Sequence, residues 1–379
     1  MQSTGHCRQR KRNTMKSVLR VVLTAAIAAS SLTYTACAQD QGAQVAPPAP
    51  APAAGAATAP PVLSNISSQP STLNPFPPPD PKNFTASFPT VETVKAFLHQ
   101  VWGYDPDRIF EVEAIVKTPV DSISQVLVFV SERGQPADQT KTFPFLVLND
   151  GKHAISGDSV MDFGATPFAD KRAILKARAD GPSHGGASKD LELVEFADMQ
   201  CPHCKEAQSK MDQLSQDFPT AHIVFQNFPI QQIHPTSREA AAYGLCVAQM
   251  KPDDGNAAFR TYVQAVFDTQ DALTPDPAVP DGPTQALNNA VVKAGLDAAK
   301  VAACSNTKAV QDDLDASLQL AKDLQVDSVP TLLINGRAIP LGGVSYDTLK
   351  SIINFQAQTD GVVLPPAPPA PLNLNPPAN

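Results

Sequence analysis

The sequence predicts an α/β domain carrying a helical insertion, preceded by a small α+β domain. Three observations predict it. Between residues 188 and 358, strand-like and helix-like stretches follow the order βα, β, a long helical stretch, then ββα. Between 83 and about 165, one apolar helical face precedes several runs with strand periodicity. Ala/Pro-rich segments, which cannot bury a core, flank this body at 39–82 and 359–379.

The chain is 379 residues long, enough for two domains and linkers. Its formal net charge is −8, and losing the six cations of residues 1–38 takes that to −14. An acidic body argues against nucleic acid or an anionic membrane surface as partner.

Residues 1–38 read as an export signal. Arg8, Arg10, Lys11, Arg12, Lys16 and Arg20 form a basic start, and residues 21–29 form an apolar core too short for a membrane span. Met1 and Met15 are alternative initiators. Two readings of the signal's end stay open. Ala36-Cys37-Ala38 fits cleavage before Gln39, and Thr35-Ala36-Cys37 resembles a bacterial lipoprotein site at which Cys37 carries lipid. Both lead to a periplasmic or otherwise extracytoplasmic compartment that permits disulfides.

In the first domain, Val91, Val94, Leu98 and Val101 share a helical face. Phe110, Val112, Ala114 and Val116 then alternate with Glu111, Glu113, Ile115 and Lys117, a half-buried strand. Residues 126–130 and 143–148 are two more strands, and Asn149-Asp150-Gly151-Lys152 is a turn between strands. A helix is expected over about 167–179. Gly181-Pro182-Ser183-His184-Gly185-Gly186 reads as a flexible boundary, so that 166–187 link the two domains.

In the second domain a strand over 191–196 leads to Cys201-Pro202-His203-Cys204, and a helix follows from Lys205 to about Gln216. Two cysteines three apart at a strand-to-helix junction can close a small disulfide ring. The first sits where a helix presents unpaired N–H groups, which stabilise a thiolate. Within the helical stretch, about 235–323, three faces recur: Ala240, Ala241, Leu245 and Ala248; Val291, Val292 and Leu296; Leu314, Leu318, Ala321 and Leu324. Then come Ser328-Val329-Pro330-Thr331, the strand Leu332-Leu333-Ile334, the turn Asn335-Gly336 and a helix over 346–356 with Leu349, Ile352, Ile353 and Phe355. Proline just before a strand marks a rigid loop.

Cys246 and Cys304, an even pair in an exported chain, are expected to form a structural disulfide. No second ligand pair has zinc spacing, so no metal site is expected. His99, His153, His184, His222 and His234 show no ligand spacing and read as structural or surface residues.

Residues 188–358 resemble the DsbA-like branch of the thioredoxin superfamily, a thioredoxin fold with a helical insertion. The resemblance is carried in order by Gly181-Pro182-Ser183, by Val194 through Cys204, by Phe225-Gln226-Asn227-Phe228-Pro229-Ile230 with His234-Pro235, and by Ser328-Val329-Pro330-Thr331. It implies Cys201 as nucleophile and Cys204 as resolving thiol of a redox-active disulfide, with Pro202 and His203 between them tuning the thiolate. It implies a cis-proline loop at Pro330, where Val329 and Thr331 meet a substrate strand. Glu195 matches the family's buried acid beneath the disulfide. Residues 149–158 resemble a segment in the N-terminal dimerisation domain of DsbC- and DsbG-like isomerases.

The resemblance implies a protein thiol-disulfide oxidoreductase that needs no cofactor. Its expected partners are cysteine-containing exported proteins, a membrane redox partner and, through residues 83–165, a second copy of the chain. Two alternatives stay open: a DsbC/DsbG-like disulfide isomerase, and a peptide-binding chaperone module. Intact Cys201, Cys204 and Pro330 speak against the chaperone reading.

Overall fold

A computed structural model describes residues 75–365. The export signal, Cys37, the spacer up to residue 74 and the tail beyond 365 lie outside the described residues.

The first sheet begins after helix α1 (Val91–Trp102). Thr90 caps that helix by accepting the Thr93 N–H at 3.1 Å. Its buried face is Val94, Phe97 and Leu98. Gly103 ends it, where an added Cβ would lie 2.6 Å from both the His99 carbonyl oxygen and the Phe355 ring. Strands β1 (Arg108–Lys117), β2 (Ile123–Glu132), β3 (Lys141–Leu148), β4 (His153–Ser156) and β5 (Ser159–Asp162) form an antiparallel meander in that order. It packs on α1 through Val112, Ile115, Val126, Val128, Phe145 and Val147.

β1 departs from the alternation read in the sequence. The register against β2 shifts between Val112 and Ala114, which leaves Glu113 as an extra residue. A bulge of one residue reverses the parity of everything after it. Ile115, assigned to the outer face by strict alternation, is therefore buried, and Val116 is only half-buried.

Helix α2 (Ala169–Arg178) leads to the second sheet, whose strand order is β10-β9-β7-β8-β6. Its strands are β6 (Ser183–Gly185), β7 (Glu192–Ala197), β8 (His222–Asn227), β9 (Thr331–Ile334) and β10 (Arg337–Pro340). β7 runs parallel to β8 and antiparallel to β9. Residues 181–186, read as a flexible boundary, instead contain β6, paired antiparallel with β8. Glycine here serves close backbone approach rather than mobility: Cβ atoms at Gly185 and Gly186 would strike the carbonyls of Ala221 and Thr220.

Every residue of β7 is buried, because helices cover both faces of the sheet. On one face lie α3 (Pro202–Asp217) and α9 (Tyr346–Thr359), through Ala207, Leu214, Leu349 and Ile353. On the other lie α2 and α8 (Lys308–Asp323), through Leu175, Leu320 and Ala321.

The stretch between β8 and β9 supplies α4 (Ser237–Met250), α5 (Ala257–Asp268), α6 (Gly282–Lys293) and α7 (Ala298–Ser305) before α8. With α8 these helices build a core of Tyr243, Phe259, Tyr262, Phe267, Leu287 and Leu314 that also takes in Cys201 and Cys204. α6 turns Leu287, Ala290 and Val291 inward and leaves Val292 63% exposed. Val292 cannot share the buried face with its neighbour, because adjacent residues on a helix point about 100° apart.

Cys246 on α4 and Cys304 on α7 are joined by a disulfide, 58 positions apart with Cα atoms separated by 6.0 Å. A cross-link closing a loop of this length restricts the unfolded chain. Replacing both cysteines by alanine should lower unfolding free energy by roughly 3–4 kcal/mol. It should leave thiol exchange at the other cysteine pair intact at 25 °C. Urea denaturation beside an exchange assay checks both halves.

Candidate active site

β7 ends at Ala197, and the turn Asp198-Met199-Gln200 carries the chain to Cys201. Cys201 is the N-cap of α3, with φ −80° and ψ 122°. Pro202 follows at the first helical position, where a missing N–H costs nothing. The Cys201 carbonyl accepts from the N–H groups of Cys204 at 3.1 Å and Lys205 at 3.2 Å. An N-cap side chain faces the unpaired donors of the first turn. In this chain that side chain is a thiol.

Cys201 and Cys204 are free thiols here. Cys201 is 6% exposed and Cys204 fully buried. Their acidities diverge. The Cys204 thiol, the backbone N–H groups of Cys204 and His203, and the charge of His234 pull Cys201 down to about 6, against the opposing effect of burial. The hydrogen bond to the Cys201 sulfur and burial push Cys204 far up, and the charges of Cys201 and Glu195 add to that. One sulfur is a ready thiolate and leaving group, while the other keeps its proton.

The His203 ring does not lie against the thiolate as a close partner. Its side chain is 72% exposed and its Nδ1 stands 3.1 Å from Glu206 Oε2. Its pKa is raised first by Glu206 and only then by Cys201. What His203 gives Cys201 is its backbone N–H.

Glu195 lies on β7 and is 2% exposed. Burial, with Asp212 adding, pushes its carboxyl up to about 8, against a hydrogen bond from Gln208. Gln208 Nε2 bridges Glu195 Oε1 at 3.1 Å and the Cys204 carbonyl at 3.2 Å. A cavity of about 280 Å³ between α3, α5 and the sheet reaches Glu195, with Asp212, His184 and Arg260 among its walls.

Val329-Pro330 is a cis peptide. The Pro330 carbonyl accepts from Leu341 N–H at 2.9 Å, and Thr331 Oγ1 donates to the Ser328 carbonyl at 2.8 Å. Val329 packs against the apolar cluster that contains both Cys201 and Cys204. The loop at 328–331 thus borders the core that holds the cysteine pair, although Pro330 lies 126 positions after Cys204 in the chain.

Three further residues hold the site, and no local pattern marks their roles. Gln270 Nε2 donates to the carbonyls of Met199 at 3.0 Å and Cys201 at 2.9 Å. Asp198 is wholly buried, and His234, read above as structural or surface, donates Nδ1 to Asp198 Oδ2 at 2.9 Å. Asp198 stands within the motif, three before Cys201. Its partner is 36 residues away, and Gln270 is 69 residues from Cys201, so spacing could not find them. Among the described residues no group of three His, Cys, Asp or Glu is arranged to hold a metal ion.

The raised carboxyl of Glu195 makes stability depend on pH with a defined sign. The folded chain holds a proton that the unfolded chain loses near 4.5, so this group's contribution is full below 4.5 and lost as pH rises through about 8. Glu195→Gln should therefore stabilise the protein progressively across that window, by a few kcal/mol at its upper end. Urea unfolding at a series of pH values should show a flatter profile for the variant. Parallel profiles would contradict a buried proton at Glu195.

The family described as DSBA-like thioredoxin domain matches residues 192–354. Similar solved structures include the catalytic domain of ScsC from Proteus mirabilis, at 22% identity and TM-score 0.39, covering 49% of this chain and 98% of that one. BdbD from Bacillus subtilis is 20% identical with TM-score 0.40, over 48% of this chain and 95% of that one. A thioredoxin-like oxidoreductase from Silicibacter pomeroyi is 21% identical with TM-score 0.40, over 50% and 98%. A stretch of 65 residues is 28% identical to the Na(+)/H(+) antiporter NhaA 3 of Salinispora tropica, 17% of this chain and only 10% of that protein. Over residues 192–354 the chain thus matches the DSBA-like thioredoxin domain, in a mixed α/β unit.

Proposed function

We propose that this chain is an exported protein thiol-disulfide oxidoreductase working through Cys201 and Cys204. The observation that carries the reading is the opposite displacement of the two thiols, with Cys201 drawn down to about 6 and Cys204 pushed up. In the oxidised enzyme a substrate thiolate attacks Cys201 Sγ. A substrate–Cys201 disulfide forms, the Cys201–Cys204 bond breaks, and Cys204 leaves with the electron pair and takes up a proton. The proton is assigned in this reading to Glu195, whose buried carboxyl is pushed up to about 8 and whose charge bears on Cys204. A second substrate thiolate attacks the substrate sulfur and releases the Cys201 thiolate. The substrate loses two electrons and the pair becomes a dithiol. A stabilised thiolate favours that reduced form, so the disulfide is a good oxidant.

A membrane redox partner reoxidises the pair in this reading. The basic, apolar start of the sequence and the Cys246–Cys304 disulfide support export to a disulfide-permissive compartment. No described helix is long and apolar enough to cross a membrane. Anchoring through lipid at Cys37 and cleavage after Ala38 remain the two routes proposed.

One observation favours a second reading, a disulfide isomerase dimerised through residues 83–165. β5 is an edge of the first sheet, and Val160 on it is 55% exposed. An open edge can pair with the same edge of a second copy.

Cys201→Ser should abolish exchange, and Cys204→Ser should accumulate mixed disulfides with substrate proteins on non-reducing gels. Residual turnover in Cys201→Ser would refute the reading. Oxidation of a reduced multi-disulfide protein and reshuffling of a scrambled one, assayed side by side, separate oxidase from isomerase. Light scattering at micromolar concentration adds the decisive mass, since a monomer with oxidation alone rules out the isomerase.

A further inference from the structure

Two buried glutamines fasten the helical insertion to the turn before α3. The first comes from the insertion. Gln270 opens the short helical turn Gln270–Leu273 between α5 and α6, and it is buried. Its Nε2 donates to the Met199 carbonyl at 3.0 Å and to the Cys201 carbonyl at 2.9 Å. The second comes from the active-site turn. Gln200, also buried, donates Nε2 to the Leu273 carbonyl at 3.2 Å and accepts the Thr236 N–H on Oε1 at 2.9 Å. Each amide thus reaches a carbonyl of the other's segment, and Met199, Cys201 and Leu273 share one apolar core around them.

Met199 and Cys201 flank Gln200, so the Gln270 amide fixes the peptide planes on both sides of that residue. Among the described residues no other donor reaches the Met199 carbonyl. The Cys201 carbonyl also accepts from the N–H groups of Cys204 and Lys205, which makes it the anchor of the first turn of α3. The direction of that carbonyl follows from ψ of Cys201. A cap side chain turns to the first-turn donors while its residue keeps a non-helical, extended backbone. Cys201 keeps it, at φ −80° and ψ 122°, and its sulfur meets the N–H groups of His203 and Cys204.

We propose that Gln270 is a positioning residue for the exchange reaction: it holds the Cys201 backbone in the cap geometry that turns the sulfur to the helix donors, so the reactivity of Cys201 depends on the insertion being docked on the turn. The inference rests on the exchange reading above and adds to it a residue 69 positions beyond Cys201, outside the cysteine motif. A glutamine that only satisfied two buried carbonyls would affect stability alone. One that sets the cap must also move the acidity of the capping thiol.

The test is thiolate absorbance against pH in the reduced full-length protein. Gln270→Met keeps the length of the side chain and loses both donated bonds. It should raise the midpoint of Cys201 by about 0.5 to 1 pH unit. Alkylation of Cys201 at about pH 5.5 should slow by about three- to eightfold, following the lost thiolate fraction. The comparator is the double variant Cys246→Ala, Cys304→Ala, which lowers stability from within the insertion and touches neither Met199 nor Cys201. Its midpoint should match that of the unaltered protein. A midpoint unmoved in Gln270→Met, or moved equally in the comparator, would overturn the proposal, because acidity would then be untouched or would follow stability alone. A check on the unaltered protein needs no variant to fold. The NMR signals of the Gln270 side-chain amide should titrate at the midpoint of Cys201 in the reduced form and stay level in the oxidised form. Level signals in the reduced form would also overturn the proposal. A raised midpoint in Gln270→Met, beside an unaltered protein that exchanges no disulfides, would uphold the positioning role and refute the exchange reading instead.

Discussion

The structure of the candidate site depends on a cysteine in the N-cap position of a helix. Caps are ordinarily Ser, Thr, Asp or Asn, whose oxygens satisfy the donors of the first turn. With Cys201 there, those donors are met fully only by a thiolate, so the helix itself supplies a standing preference for the ionised sulfur. Everything around the motif preserves that geometry. β7 is buried on both faces and cannot shift. Gln270 holds the carbonyls of Met199 and Cys201 from the helical insertion. Pro202 stiffens the first helical position without leaving an unmet donor.

The two thiols of the motif could not both be stabilised as thiolates. The same burial that hinders ionisation of Cys204 also raises Glu195, and a proton shared between the sulfurs belongs to the pair. The protein separates the two environments. Cys201 meets the N–H groups of the helix start, while Cys204 accepts from the Asp198 N–H at 3.4 Å within the buried core.

The order of strands and helices and the cysteine motif were legible in the sequence because each is a local pattern. The strand before Cys201, the helix after it and the Pro330 loop are written in consecutive residues. What escaped was of two kinds. Local pattern misled at Glu113, where a bulge leaves no compositional mark, and at residues 181–186, where glycine serves close packing rather than freedom. Partnership failed at His234 and Gln270, since a hydrogen bond across 36 or 69 positions is fixed only by the finished fold. His203, read as electrostatic from its place between the cysteines, has its ring turned to Glu206, and the charge of Cys201 acts on it second to that carboxylate.

The contact between the two sheets constrains how the active site can be presented. Arg337 opens β10 and is 4% exposed, with no carboxylate paired to it. Its Nη2 donates to the carbonyls of Gln100 at 2.8 Å and Val101 at 2.5 Å, the last turn of α1. Tyr104 and Phe168 flank the guanidinium at 5.4 and 5.1 Å. A helix C-terminus carries partial negative charge, so α1 itself is the counter-charge. Burial still draws Arg337 down to about 10, and Nη1 finds no partner, so the arrangement is costly. A buried cation held at that cost resists separation of the two layers, because withdrawing α1 would strand it. His99 against Phe355, with ring centroids 5.3 Å apart, adds to the same seam. The first sheet is therefore held to the second by a buried cation as well as by ring packing.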